Sequence, residues 1–135
     1  MEIIRTVLML GCVTFILHLV WESVHLSLYK GYEKLGTGWR LSLMATLGDV
    51  MYVLLAVLFM SLVKENVTWL SHPTFVNYGN LALLGFAIAL FVEYKALALR
   101  RWGYGDRMLL VFGVGLSPLL QMTILLPLAV YIAHL

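Results

Sequence analysis

The sequence predicts an all-α fold, an integral membrane up-down bundle of four transmembrane helices in a single domain spanning residues 1–135. Two observations predict it. Charged residues make up only 12% of the chain against 62% hydrophobic, about half the charge that a water-facing surface of this size carries. The apolar residues also fall into four runs long enough to cross about 30 Å of hydrocarbon, which takes roughly 20 helical residues.

The first span is expected over about 3–29. Its short N-terminal flank, Met1-Glu2-Ile3-Ile4-Arg5, lacks a strong basic region, and no small-residue cleavage site follows. It therefore reads as an uncleaved span. The second is expected over 39–63, the third over 78–99 and the fourth over 108–133. The connections, Lys30–Thr37, Lys64–Asn77 and Arg100–Arg107, are short and polar, which favours antiparallel neighbours.

Lys30, Lys34, Arg40, Lys95, Arg100, Arg101 and Arg107 cluster at the first and third connections, against Arg5 and Lys64 at the other end. The positive-inside rule then places those connections in the cytoplasm and both termini outside. Tyr32, Trp39, Trp102 and Tyr104 are expected as an aromatic belt on that side, with Trp69 and Tyr78 on the other. The net charge of +2, with no basic cluster interleaved with aromatics, gives no nucleic-acid footprint. The single cysteine, Cys12, excludes a disulfide framework and a cysteine zinc site.

Charged groups near the bilayer centre cost at least about 2.5 kcal/mol each, so they face protein and have partners. Glu22, Asp49 and Glu93 lie inside the spans, with His18 and His25. At 100° per residue, Thr14, His18, Trp21, Glu22, His25 and Tyr29 share a stripe of roughly 100° on the first helix. Ser42, Thr46, Asp49 and Tyr52 share a face of the second. Ala82, Gly85, Ala89, Glu93, Ala96 and Arg100 do so on the third, where Arg100 is within reach of Glu93. The fourth offers Gly113, Ser117 and Gln121, while Pro118 and Pro127 each free a carbonyl one turn earlier.

Depth ties these together. Glu22 and Glu93 lie roughly 10 Å from the basic end, His18 and Asp49 roughly 15 Å, and Ser117 and Gln121 roughly 13 to 20 Å. All four helices thus place polar groups in one half of the membrane, as the walls of one pocket. The hydroxyls of Ser42, Thr46, Ser117 and Thr123 also suit simple interhelical hydrogen bonding, and the acids are harder to account for that way. The expected occupant is an apolar or amphiphilic membrane lipid. His18, Glu22, Asp49 and Glu93 are the expected acid–base groups, and Trp21, His25, Tyr52, Ser117 and Gln121 the expected binding groups.

Other readings stay open. His18, Glu22 and His25 have metal-ligand spacing on one helical face, but no second helix brings a histidine to that depth, so no metal is expected. No cofactor is expected, because His72 and His134 lie too far from His18 for a haem. A proton or ion carrier would need a homo-oligomer, since four helices make a thin pathway. A non-enzymatic binding or scaffold subunit is the third alternative.

His18-Leu19-Val20-Trp21-Glu22 resembles the His-x-x-x-Glu step of EXPERA-domain proteins, which include the sterol isomerases and the sigma-2 receptor type. Gly48-Asp49-Val50-Met51-Tyr52 is similar to a string found there on a different helix. The resemblance implies a small helical bundle around a polar pocket for a sterol or amphiphilic amine. It would put His18, Glu22 and Asp49 in proton transfer, with Gln121 before Pro127 as a polar pocket residue. Arg101-Trp102-x-Tyr104 and Gly115-Leu116-Ser117-Pro118-Leu119-Leu120-Gln121 also resemble small prokaryotic membrane proteins of no assigned function, which implies a prokaryotic cytoplasmic membrane.

Overall fold

The computed structural model describes residues 1–135. It contains four long helices, α1 (Glu2–His25), α2 (Gly38–Val63), α3 (Phe75–Ala98) and α4 (Leu116–Ala133). Each is long and apolar enough to cross a membrane.

The buried faces of α1, α2 and α3 are narrow, while α4 is half buried. On α1 the face is Thr6, Leu10, Thr14, His18, Glu22 and His25, steps of three or four residues that make one stripe. On α3 it is Asn77, Leu81, Gly85, Ala89, Glu93 and Ala96. Outside these stripes the helices expose Ile16, Val20, Leu58, Phe59, Leu83 and Phe91. A water-soluble monomer rarely leaves so much apolar surface uncovered.

The interior is divided along its length. An apolar core joins Leu10, Val53, Val57, Met60, Trp69, Leu70, Leu81, Leu126 and Val130. The polar stripe residues His18, Glu22, His25, Glu93 and Gln121 are buried in the other half. Helix α1 packs against α2 and α4, and α3 packs against α4, while α2 and α3 meet more sparsely.

Two short antiparallel pairs finish the polar end. Strand β1 (Tyr29–Lys30) pairs with β2 (Gly103–Tyr104), setting Tyr29 opposite Tyr104. The segment after α1 is thereby tied to the segment after α3. Strands β3 (Leu110–Val111) and β4 (Val114–Gly115) form a hairpin. Its turn residues Phe112 and Gly113 both have positive φ, 54° and 78°, the form that matches strand twist.

Several element boundaries differ from expectation. The fourth helix starts at Leu116, not at 108, because the hairpin occupies Leu110–Gly115. Two glycines in that stretch each disfavour helix by about 1 kcal/mol. Pro118 accordingly lies in the first helical turn, where a missing N–H costs nothing, and only Pro127 is internal. Helix α1 ends at His25 and tightens into a 3₁₀ turn at Leu26–Leu28, so Tyr29 is a strand residue. Helix α3 starts earlier than 78, because Thr74 caps it by accepting from Asn77 N–H at 3.4 Å. Trp69 is buried rather than at an interface, with its Nε1–H donating to Ser61 Oγ at 2.9 Å.

Candidate functional site

The sparse contact between α2 and α3 leaves a cavity of about 390 Å³. Leu41, Met44, Ile88, Val92 and Met122 make its apolar walls. Glu22, Asp49, Tyr52, Glu93 and Gln121 are its polar lining, and Tyr29, Tyr32, Trp102 and Arg101 border it from the connecting segments. The volume falls in the range of small-molecule sites.

Gln121 sits at the centre of the polar wall. Its Nε2 donates to Glu22 Oε1 at 2.9 Å and to Asp49 Oδ2 at 2.9 Å. An amide nitrogen has two hydrogens, and this one spends both on carboxylates from different helices. Asp49 Oδ2 also accepts from His18 Nδ1 at 3.0 Å, which brings that nitrogen within 3.0 Å of Gln121 Nε2. With Nδ1 as the donor, His18 Nε2 keeps its lone pair. That atom and Thr14 Oγ1 are buried without a hydrogen-bond partner.

A second cluster surrounds Glu93. Its Oε2 accepts from Tyr104 Oη at 2.5 Å and from Trp102 Nε1 at 3.4 Å, and its Oε1 from Tyr29 Oη at 3.4 Å. Tyr29, Tyr32 and Trp102 pack with ring centroids 5.3 to 5.9 Å apart. Rings that close fill the space between them, so the group is a plug and not a cage for a cation. Burial is the main cause that pushes the Tyr32 and Tyr104 phenols above the ordinary tyrosine value, with the charges of Glu22 and Glu93 adding for Tyr32 and the Glu93 bond for Tyr104. Both phenols are therefore held protonated in the fold. Their contribution to stability is complete below about pH 10, the ordinary tyrosine value, and is lost as pH rises further. The unfolding midpoint in detergent should fall above pH 10, and fall less in Tyr104→Phe. An equal fall in both proteins would exclude Tyr104 as a source.

A third group lies behind Glu22. His25 Nε2 is 3.1 Å from Glu22 Oε2, and His25 Nδ1 is 2.7 Å from Ser117 Oγ; Ser117 Oγ accepts from Trp21 Nε1–H at 3.3 Å.

Of the expected acid–base residues, Glu22, Asp49 and Glu93 line the cavity. His18 does not: it is fully buried behind Asp49. It also makes no direct bond to Glu22, as their i,i+4 spacing suggested; Gln121 stands between them. Of the expected binding residues, Tyr52 and Gln121 line the cavity, while Trp21, His25 and Ser117 form the group behind Glu22. Ser117 lies at the start of α4, shallower than a helix beginning at 108 would put it. Arg100 is exposed beyond α3 and does not pair with Glu93. No three His, Cys, Asp or Glu side chains converge as metal ligands, and this includes His18, Glu22 and His25.

Sequence reasoning did not find the aromatic partners of Glu93. Trp102 and Tyr104 read as interfacial anchors, whereas here they turn inward to Glu93. The signal was present in the pairing of polar aromatics with a buried acid, since each brings a donor that the carboxylate needs.

No family model matches the chain, and no curated protein and no solved structure matches it. The EXPERA resemblance thus rests on the residues alone.

Proposed function

We propose that the protein is an integral membrane protein that holds an apolar lipid, isoprenoid- or sterol-like, in the cavity between α2 and α3 and converts it by acid–base chemistry. The basic connections would face the cytoplasm and both termini the outside, by the charge bias of the loops. The observation that carries the reading is the pair Glu22 and Asp49, bound through one Gln121 amide on the wall of an otherwise largely apolar cavity. Two carboxylates sharing one site supply an acid and a base from the same wall. Isomerisation or hydration of a double bond needs that combination and no cofactor. His18 is the positioning group that orients Asp49 from behind. Met44 and Leu35 at the cavity's edge are 64% and 46% exposed, which suits an occupant arriving from an apolar phase.

A proton or ion carrier is less well supported. The hydrogen-bonded chain ends at His18, and Leu10, two turns further along α1, is fully buried. A scaffold role predicts a stoichiometric partner protein in mild detergent.

The test is the lipid that copurifies, identified by mass spectrometry, followed by turnover of that lipid in nanodiscs. Glu22→Gln and Asp49→Asn should each insert normally and lose at least about 100-fold in rate, the usual share of a positioned acid or base. Full activity in both variants, or a preparation with only bulk phospholipid, rejects the reading.

A further inference from the structure

We propose that Ser117, His25 and Glu22 form a nucleophilic serine centre that cleaves acyl esters of amphiphiles at the polar end of the bundle. The three side chains stand in hydrogen-bonded series, Ser117 Oγ to His25 Nδ1 at 2.7 Å and His25 Nε2 to Glu22 Oε2 at 3.1 Å. Such a constellation is recognised by geometry and roles, whatever the order in the chain.

The proton positions follow from the donors. Trp21 Nε1–H reaches Ser117 Oγ at 3.3 Å, and an indole nitrogen can only donate. With Glu22 ionised, a neutral His25 carries its hydrogen at Nε2, toward that carboxylate, and its bare Nδ1 takes the serine hydrogen. His25 and Glu22 are both buried, whereas Ser117 is half-buried. The nucleophile is thus the accessible member and its base and orienting acid are sealed. The ring nitrogens are used in the reverse sense from the familiar serine protease arrangement, which leaves the proton balance unchanged.

The surroundings suit acyl transfer. Ser117 is in the first turn of α4, where its N–H has no acceptor within the helix and is free to bond a carbonyl oxygen on which charge develops. Its neighbour Pro118, Glu22 and Met122 line the cavity, which gives an acyl chain an apolar lodging beside the serine.

The reaction balances without a redox partner. Ser117 Oγ attacks the ester carbonyl carbon as its proton passes to His25 Nδ1. The tetrahedral intermediate collapses, the C–O bond to the alcohol breaks, and the alcohol leaves with that proton. Water then gives a proton to His25, attacks the acyl-serine and releases the carboxylic acid, and the proton returns to Ser117.

The test uses the full chain in nanodiscs and an alkyl fluorophosphonate, with peptide mass spectrometry to locate the adduct. Ser117 should be labelled, and Ser23→Ala, which removes an exposed serine of α1 two residues before His25, should leave the rate unchanged. His25→Ala and His25→Asn should each slow labelling by at least about 100-fold. Hydrolysis of a medium-chain p-nitrophenyl ester should fall in parallel and vanish in Ser117→Ala. Absence of an adduct on Ser117 in the unaltered protein overturns the proposal. So does labelling of either His25 variant at the unaltered rate, which would mark Ser117 as an ordinary accessible hydroxyl.

Discussion

Gln121→Leu should destabilise the protein by about 3–6 kcal/mol, because it removes two hydrogen bonds to carboxylates, each worth about 1.5–3 kcal/mol. Leucine is close to glutamine in volume, so the loss cannot be assigned to a cavity. What disappears is the one amide that donates to both Glu22 and Asp49. His25 still serves Glu22 and His18 still serves Asp49, yet each carboxylate loses a donor on a wall largely removed from solvent. The two acids would also face each other with nothing between them. Reversible unfolding in mixed micelles measures the effect. Coupling gives a sharper readout: in a Glu22→Gln background the same substitution should cost less, because one of the charges that Gln121 serves is already gone. Additive losses, or a loss below about 1 kcal/mol, would mean that Gln121 is not the hub of the polar wall.

How far this hub was legible in the sequence depends on the kind of signal. The stripe on α1 was readable because helical periodicity alone puts Thr14, His18, Glu22 and His25 on one face, and their cost in an apolar helix marks them as buried. The depth count brought Asp49 and Gln121 to the same level, and they do meet. Pairing was less legible. Spacing within one helix suggested that His18 touches Glu22, but a side chain on a packed face has a choice between its own helix and its neighbours. Here the contacts across to α2 and α4 prevail. Local backbone form was the least legible. No charged residue interrupts the stretch from Met108 to Ala133, and a count of hydrophobic length cannot see that Phe112–Gly113 is a turn. Glu93 was found as a buried acid, but its partners come from the segments after α1 and α3, which only the β1–β2 pairing brings together. Periodicity carries no information about contacts of that kind.

Gly85→Ala should also weaken the fold, and its sign is diagnostic. In an isolated helix alanine is favoured over glycine by about 1 kcal/mol, so helix propensity alone predicts stabilisation. Position 85 faces α4 so closely that an added Cβ would overlap the Met122 carbonyl, with the carbonyl carbon at 2.7 Å and Thr123 N at 3.2 Å. Those are main-chain atoms of a helix and cannot rotate aside. Relief requires α3 and α4 to move apart, and overpacking of this kind costs about 1–3 kcal/mol, occasionally more. Gly79→Ala is the matched control on the same helix, since nothing lies within 4 Å of a Cβ there. It should be neutral or stabilising while Gly85→Ala is destabilising and Gly85→Val more so. The consequence reaches the site, because Ala89 and Glu93 continue the Gly85 stripe by one and two turns and both line the cavity. Displacing α3 at Gly85 shifts Glu93 against Tyr104 and widens the gap toward α2, so occupancy of the cavity should fall together with stability. If Gly85→Ala and Gly79→Ala behaved alike, the close approach of α3 to α4 would not be what sets the width of the cavity.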